Sequence, residues 1–293
     1  MKTIQMPYGA LAEAIGVPDI YLKREDEHKY GSHKGRSLPM MIKNYHKEGI
    51  THFTISSSGN AALAAILAAE SRIKNNPESP IFLKVFVGEK IEPKKLRKLE
   101  RAITEKSNIT LEQVENPKQQ AFLLEKEGLA KNLRQSTDDL ALEGYFELAE
   151  ELSKIPNLCA VFVPTSSGTT AQALGQYFLD NKLPIGVHVV QTTSCHPIAE
   201  GFDTTPNNGT SVAKAIVDRV AHRKDAVVEV IKKTHGSGWI PDNPDIREMK
   251  SLVKDKTGII ISMNSALSLA GLKKAVNSGF AFSGPVACLL TGE

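Results

Sequence analysis

Short apolar runs of four to seven residues alternate with longer stretches of helical character along the whole chain. This alternation constrains the fold more than any other feature. Strands are expected at 20–23 (IYLK), 51–56 (THFTIS), 81–87 (IFLKVFV), 108–114, 159–163, 186–192, 226–231, 259–263 and 286–290. Helices are expected at 35–47, 61–73, 138–152, 169–179, 245–256 and 265–277. Another should run from Pro93 to about 104, because proline suits a first helical turn. Strands separated by helices imply parallel β-α-β units and an α/β fold. No internal repeat or low-complexity tract interrupts the pattern. Residues 206–209 (PNNG) and 236–243 (GSGWIPDN) read as surface loops.

The 293 residues fit one large or two modest domains. At 41% hydrophobic and 24% charged, the composition is that of a folded chain, not a disordered one. A formal net charge of only +3 gives no reason to expect a nucleic-acid partner. The longest apolar run, 61–69, is too short to span a bilayer, and the N-terminus lacks the apolar core of a secretory signal. Cys159, Cys195 and Cys288 are few, odd in number and far apart. They suggest neither a disulfide framework nor a zinc site, and a cytoplasmic setting is expected.

In α/β sheets, ligands sit beyond the carboxyl ends of the strands. Three segments near strand ends or helix starts therefore matter. Ser56-Ser57-Ser58-Gly59-Asn60-Ala61 joins an apolar strand to an alanine-rich helix. Its hydroxyls and the helix N-terminal amides suit a carboxylate, and the same residues also read as an ordinary helix cap. Thr165-Ser166-Ser167-Gly168-Thr169-Thr170 has five hydroxyls in six residues, again between a strand and a helix. It can cradle a phosphate or simply form a polar turn, and it is neither a Walker loop nor G-x-G-x-x-G. Ser32-His33-Lys34-Gly35-Arg36 places a lysine at a helix start. The positive end of a helix dipole disfavours an ammonium there and so favours a nucleophilic amine, although a solvated surface lysine fits the same letters.

Taken in order, these segments resemble the fold-type II pyridoxal-phosphate (PLP) enzymes, the tryptophan-synthase-β-like superfamily. Leu22-Lys23-Arg24-Glu25-Asp26 and Gly31-Ser32-His33-Lys34-Gly35-Arg36 resemble the family's K-x-E … G-S-F-K-x-R segment. Ser57-Ser58-Gly59-Asn60 matches its S-S-G-N loop, and Ser166 to Thr170 stand where its phosphate loop stands. Ser265-Ala266 with Leu269-Ala270-Gly271-Leu272 looks like its S-A-x-x-L-A-G-L helix, and Thr291-Gly292 resembles its late T-G pair. The likeness covers nearly the whole chain. His33 replaces the usual aromatic before the lysine, and His28-Lys29-Tyr30 replaces N-P-T.

The resemblance implies an α/β fold of two domains, each a mostly parallel sheet flanked by helices. Residues 35–135 would form a smaller mobile domain that closes on substrate. Residues 1–34 with 136–293 would form the larger PLP-binding domain, with PLP in the cleft. Lys34 would hold PLP as a Schiff base and shuttle the substrate α-proton. Asn60 would bond the cofactor's 3′-oxygen, and Ser57, Ser58 and Asn60 would hold the substrate carboxylate. Ser166, Ser167, Gly168, Thr169 and Thr170 would bind the cofactor phosphate. Thr291 would face the pyridine nitrogen, and a hydroxyl there does not force that nitrogen to be protonated. A neutral ring suits elimination and replacement better than transamination.

Residues 194–223 and 139–152 look most like threonine synthases, which convert O-phosphohomoserine and water to threonine and phosphate. Threonine or serine ammonia-lyase, a cysteine-synthase-like enzyme and a non-catalytic metabolite-binding descendant are the alternatives. An arginine that threonine synthases carry before the E-G pair is absent at Ala141-Leu142, and Lys29, His33 and Arg36 are candidate substitutes on the substrate phosphate. The resemblance also implies a homodimer acting on a small amino acid, with no metal, no nucleic acid and no membrane.

Overall fold

The computed structural model describes residues 2–105, 107–204 and 209–293, so residues 206–208 of the expected PNNG loop lie outside the described residues. The chain divides into two compact units, residues 1–28 with 145–293 and residues 29–144. The sequence-based division at 34/35 and 135/136 differs from this one in placing residues 29–34 and 136–144 in the larger part.

The chain starts in the first unit with β1 (Gln5–Pro7), α1 (Gly9–Ile15) and β2 (Ile20–Lys23). The second unit then runs α2 (Lys34–Lys47), β3 (His52–Ser56), α3 (Asn60–Asn75), β4 (Phe82–Gly88) and α4 (Pro93–Glu100). It continues with β5 (Ile109–Val114), α5 (Pro117–Lys126), β6 (Lys131–Asn132) and α6 (Leu140–Glu143). Back in the first unit come α7 (Phe146–Ser153), β7 (Ala160–Pro164), α8 (Thr169–Asp180), β8 (Gly186–Val190) and α9 (Lys224–Lys233). The last elements are β9 (Gly238–Trp239), α10 (Asn243–Thr257), α11 (Met263–Asn277) and β10 (Val286–Leu289).

The first unit's sheet has the order β1-β2-β10-β7-β8-β9, and the second's has β5-β4-β3-β6. Every pairing is parallel except the β1–β2 edge, where Met6 faces Leu22. Strands β7 and β8 are buried along their whole length, as AVFVP and GVHVV require of central parallel strands covered on both faces. Helices α10 and α11 pack together over this sheet, and their Ile246, Met249, Leu267 and Leu269 join Phe162 and Cys288 in one core. In the second unit α2 and α3 pack together, and their Leu38, Met41, Ala62 and Ile66 cover Phe53, Ile55 and Val85 of the sheet. Among the described residues no helix is long and apolar enough to cross a membrane.

Four expectations are corrected. Residues 226–231 are not a strand but the middle of α9. Val227, Val230 and Ile231 are buried at helical spacing, and Gly175 of α8 leaves the seat for Val230: a Cβ there would come within 1.9 Å of Val230 Cγ1. Burial on one face overrides the β propensity of the valines. Residues 259–263 form no strand, because Ser262 accepts a hydrogen bond from Ser265 N at 3.0 Å and caps α11. The long helix expected over 138–152 breaks into α6 and α7 around Gly144. The backbone of α2 presses on that glycine, where a Cβ would stand 2.4 Å from the Ser37 Cα. The 236–243 stretch is no surface loop throughout, since Gly238–Trp239 pairs with β8 and Ile240 is fully buried.

Candidate active site

The sequence-predicted residues fall on both units. In the smaller one, Lys34 is the first residue of α2, and its backbone N–H donates to Ser32 Oγ at 3.3 Å. Ser32 is fully buried beneath it. Gly31 has a φ of +80° and approaches α3 so closely that a Cβ would lie 3.0 Å from Leu63 Cδ2. Only glycine enters that turn without strain, and the approach sets the 31–34 turn beside the first turns of α3. That helix begins at Asn60, immediately after Ser57, Ser58 and Gly59, so the unit brings Lys34 and the 57–60 loop to neighbouring helix starts. Ser57 accepts from Gly59 N at 3.3 Å, and Ser58 is exposed. The Lys34 side chain is half-buried, and among the described residues no hydrogen bond or ion pair engages its Nζ.

In the larger unit, Ser166 to Thr170 leave the carboxyl end of β7 and enter α8. Gly168 is the N-cap, at φ +92°, and a Cβ on it would lie 2.6 Å from Val227 Cγ2 of α9. The loop's shape is held by its own hydroxyls. Ser166 Oγ accepts from the N–H groups of Val217 and Asp218 at 3.1 and 3.2 Å. Ser167 and Thr169 share a hydrogen bond of 3.0 Å, and Thr169 and Thr170 are buried. No acidic side chain lies in the first turn of α8. Thr291 follows β10, the strand next to β7, so it and the 166–170 loop lie at the same end of adjacent strands. The Thr291-Gly292 turn is pinned to the start of α11: Gly292 N donates to Ser265 Oγ at 3.2 Å, and Ser262 Oγ donates to Gly292 O at 2.6 Å. This gives the Ser265-Ala266 pair a structural role.

Sequence reasoning missed the support behind the 166–170 loop. Arg223, at the start of α9, is buried, and its Nη1 donates to Gln172 Oε1 of α8 at 3.1 Å. The Arg223 Cβ lies 3.6 Å from where a Cβ on Gly168 would stand. Burial raises the pKa of all three thiols, which are free and suited to packing rather than nucleophilic attack. Among the described residues no group of three or more His, Cys, Asp or Glu is placed to hold a metal ion.

The sequence profile of the family described as pyridoxal-phosphate dependent enzyme matches residues 2–292. Among curated proteins, the threonine synthase of Methanocaldococcus jannaschii is 27% identical over 97% of this chain and 72% of its own length. The threonine synthase of Halalkalibacterium halodurans is 24% identical over 100% of this chain and 82% of its own. Among solved structures, maize serine racemase superposes with a TM-score of 0.81 at 15% identity, over 100% of this chain and 88% of that one. The processed threonine deaminase isoform 2 of Solanum lycopersicum gives 0.80 at 18%, over 100% and 79%. At those identities the structural likeness speaks to the fold, which is that of the fold-type II enzymes.

Pyridoxal 5′-phosphate is the cofactor that goes with this family, and the residues present fit it. The hydroxyl-rich loop at the α8 N-terminus, without an acid and with a glycine whose place no Cβ could share, is a donor set for a phosphate dianion. Each unit also offers a group of the kind the cofactor's chemistry calls for: Lys34 an amine in the smaller one, Thr291 a buried hydroxyl in the larger.

Proposed function

The chain belongs to the pyridoxal-phosphate dependent enzyme family, and from that premise we propose that it is a threonine-synthase-like lyase converting O-phosphohomoserine and water to threonine and phosphate. One observation carries the reading: two curated threonine synthases align with essentially the entire chain.

In this proposal, residues 166–170 hold the cofactor phosphate through backbone amides and hydroxyls, aided by the α8 dipole. Bound PLP supplies the electron sink that stabilises negative charge at the substrate Cα. Lys34 is the residue that would hold the cofactor through Nζ, and its amine, when free, would take the proton at the substrate Cα and later return a proton. Asn60 bonds the cofactor's 3′-oxygen. Ser57, Ser58 and the Asn60 turn receive the substrate carboxylate at the start of α3 and so orient the Cα–H bond toward the lysine. The Thr291 hydroxyl faces the pyridine nitrogen. Lys29, His33 and Arg36 flank Lys34 in sequence and are the side chains we assign to the substrate phosphate. Arg36 is buried, and the Lys29 ammonium lies 4.8 Å over the Tyr30 ring. The proposal includes a homodimer in the cytoplasm and a smaller domain that closes over the substrate.

The test begins with the absorption spectrum of protein mixed with PLP, before and after borohydride. A visible band that borohydride bleaches, with label recovered on Lys34, is expected. O-phosphohomoserine, threonine and serine are then supplied separately. Phosphate and threonine appearing together from the first is the expected result. Ammonia from threonine or serine without phosphate release from O-phosphohomoserine would replace this reading with an ammonia-lyase. No visible band would leave a binding protein without catalysis.

A further inference from the structure

The two ends of the larger unit's sheet carry different features. The 166–170 loop and Thr291 follow the carboxyl ends of β7 and β10. At the amino ends of β7, β8 and β10 lies a cavity of about 390 Å³. That is large enough for a small organic ligand. Phe280, Phe282 and Leu183 give it apolar walls, and Lys182, Lys233 and His235 stand around it. No Asp or Glu lines it among the described residues.

His188 forms part of the lining although the residue is only 1% exposed. Its ring stacks on Phe162 with centroids 4.5 Å apart. Trp239 Nε1 donates to His188 Nδ1 at 3.1 Å. An indole N–H can only donate, so Nδ1 is the acceptor and the imidazole proton sits on Nε2. That Nε2–H has no hydrogen-bond partner among the described residues, yet it is not one of the atoms sealed away without a partner. It lies 3.4 Å from where a Cβ on Gly186 would stand, and Gly186 lines the same cavity. The Phe280 and Phe282 rings, set edge-to-face with the imidazole, offer at most a weak N–H···π contact, and the aliphatic walls offer none. A buried donor left without an acceptor is costly, and an acceptor brought by a ligand removes that cost.

We propose that this cavity is a second binding site, for a small carboxylate with an apolar or aromatic body. The carboxylate accepts from His188 Nε2–H, and the body lies against Phe280 and Phe282. Lys182 has no ion-pair partner among the described residues and supplies the attracting charge, whereas Lys233 is already paired with Glu229 at 2.6 Å. A cation is disfavoured by the basic surroundings. A phosphate ester would need several converging donors, and the cavity fixes one. Binding here is independent of the reaction proposed above.

Trp239 is the chain's only tryptophan and touches the donor directly, so its fluorescence reports occupancy. The holoenzyme is titrated with phenylacetate, and with benzylamine as the cationic counterpart. Phenylacetate should give a saturable change and benzylamine none. Lys182→Glu should weaken the apparent affinity by about tenfold or more, as expected for reversing a charge at a binding site. His188→Phe keeps a flat ring in the stack but removes the donor, and should abolish the saturable change. A phenylacetate response of unchanged affinity in both variants would place the ligand elsewhere, for instance at the 57–60 carboxylate loop, and overturn the proposal. So would the lack of any saturable response in the parent protein. If His188→Phe fails to fold, Lys182→Glu at an exposed position decides alone.

Discussion

Gly168→Ala is the sharpest single perturbation of the 166–170 loop, to which we assign the cofactor phosphate. At φ +92° an alanine is strained by about 1–2 kcal/mol. Its Cβ would also stand 2.6 Å from Val227 Cγ2 in a fully buried contact, and overpacking of that kind costs about 1–3 kcal/mol. If the loop stays in place, the unit loses about 2–5 kcal/mol of stability in total. If the loop shifts instead, the strain is relieved but the amides no longer converge. Losing one hydrogen bond to a charged phosphate costs about 1.5–3 kcal/mol, or about 10- to 150-fold in PLP affinity. The assay is a urea melt followed through Trp239, which lies in the same unit, beside a PLP titration read in the visible range. A loss in either the midpoint or the affinity is expected. Val227→Ala in the same chain should restore part of the loss by opening the space that the new methyl needs, so the pair should be less damaging than the sum. A Gly168→Ala protein with the parent's midpoint and PLP affinity would refute the reasoning about this loop.

Lys34→Ala should leave the urea midpoint nearly unchanged while removing both the visible PLP band and the label fixed by borohydride. A retained band would reject this lysine. The His188 ring is held neutral by burial, with its pKa lowered to about 3 against about 6.5 in an unfolded chain. The unfolded chain therefore takes the proton first as pH falls, so this contribution to stability is whole above about pH 6.5 and is lost toward pH 3, by up to about 4–5 kcal/mol. The stability gap between the parent and His188→Phe should shrink across that window; a constant gap would contradict the burial argument. Lys23 is fully buried, pairs with Glu151 and donates to Thr3 O at 3.1 Å. Lys23→Met should cost about 3–5 kcal/mol by stripping a buried carboxylate of its cation, and adding Glu151→Leu should recover most of it in denaturant melts.

The local structure of the candidate segments could be read before any coordinates. The chemistry of the 57–60 and 166–170 loops is local, because small residues between an apolar run and a helix start leave few conformations and expose the same donors wherever they occur. The lysine at the start of α2 was legible for the same reason. The buried Arg223–Gln172 pair was not, since it joins residues of α8 and α9 that are distant in sequence. The amino-end cavity was equally hidden. His188 reads as one letter in the apolar strand GVHVV, and only the Trp239 indole at its Nδ1 decides where its proton sits.

The sequence by itself determined the α/β alternation, the parallel character of the central strands and the placing of the 31–36, 57–60 and 166–170 segments at helix starts. These rest on periodicity and turn chemistry, which act over a few residues. Tertiary structure decided what lay beyond that range. The valines of 226–231 are helical because Gly175 offers them a seat. The 138–152 stretch breaks because Ser37 of α2 presses on Gly144. Gly168 must be glycine because α9 fills the space its Cβ would need. Each of these is a packing contact between segments far apart in the chain. Close-packed interiors settle such contacts by volume rather than by propensity, so no local pattern could have announced them.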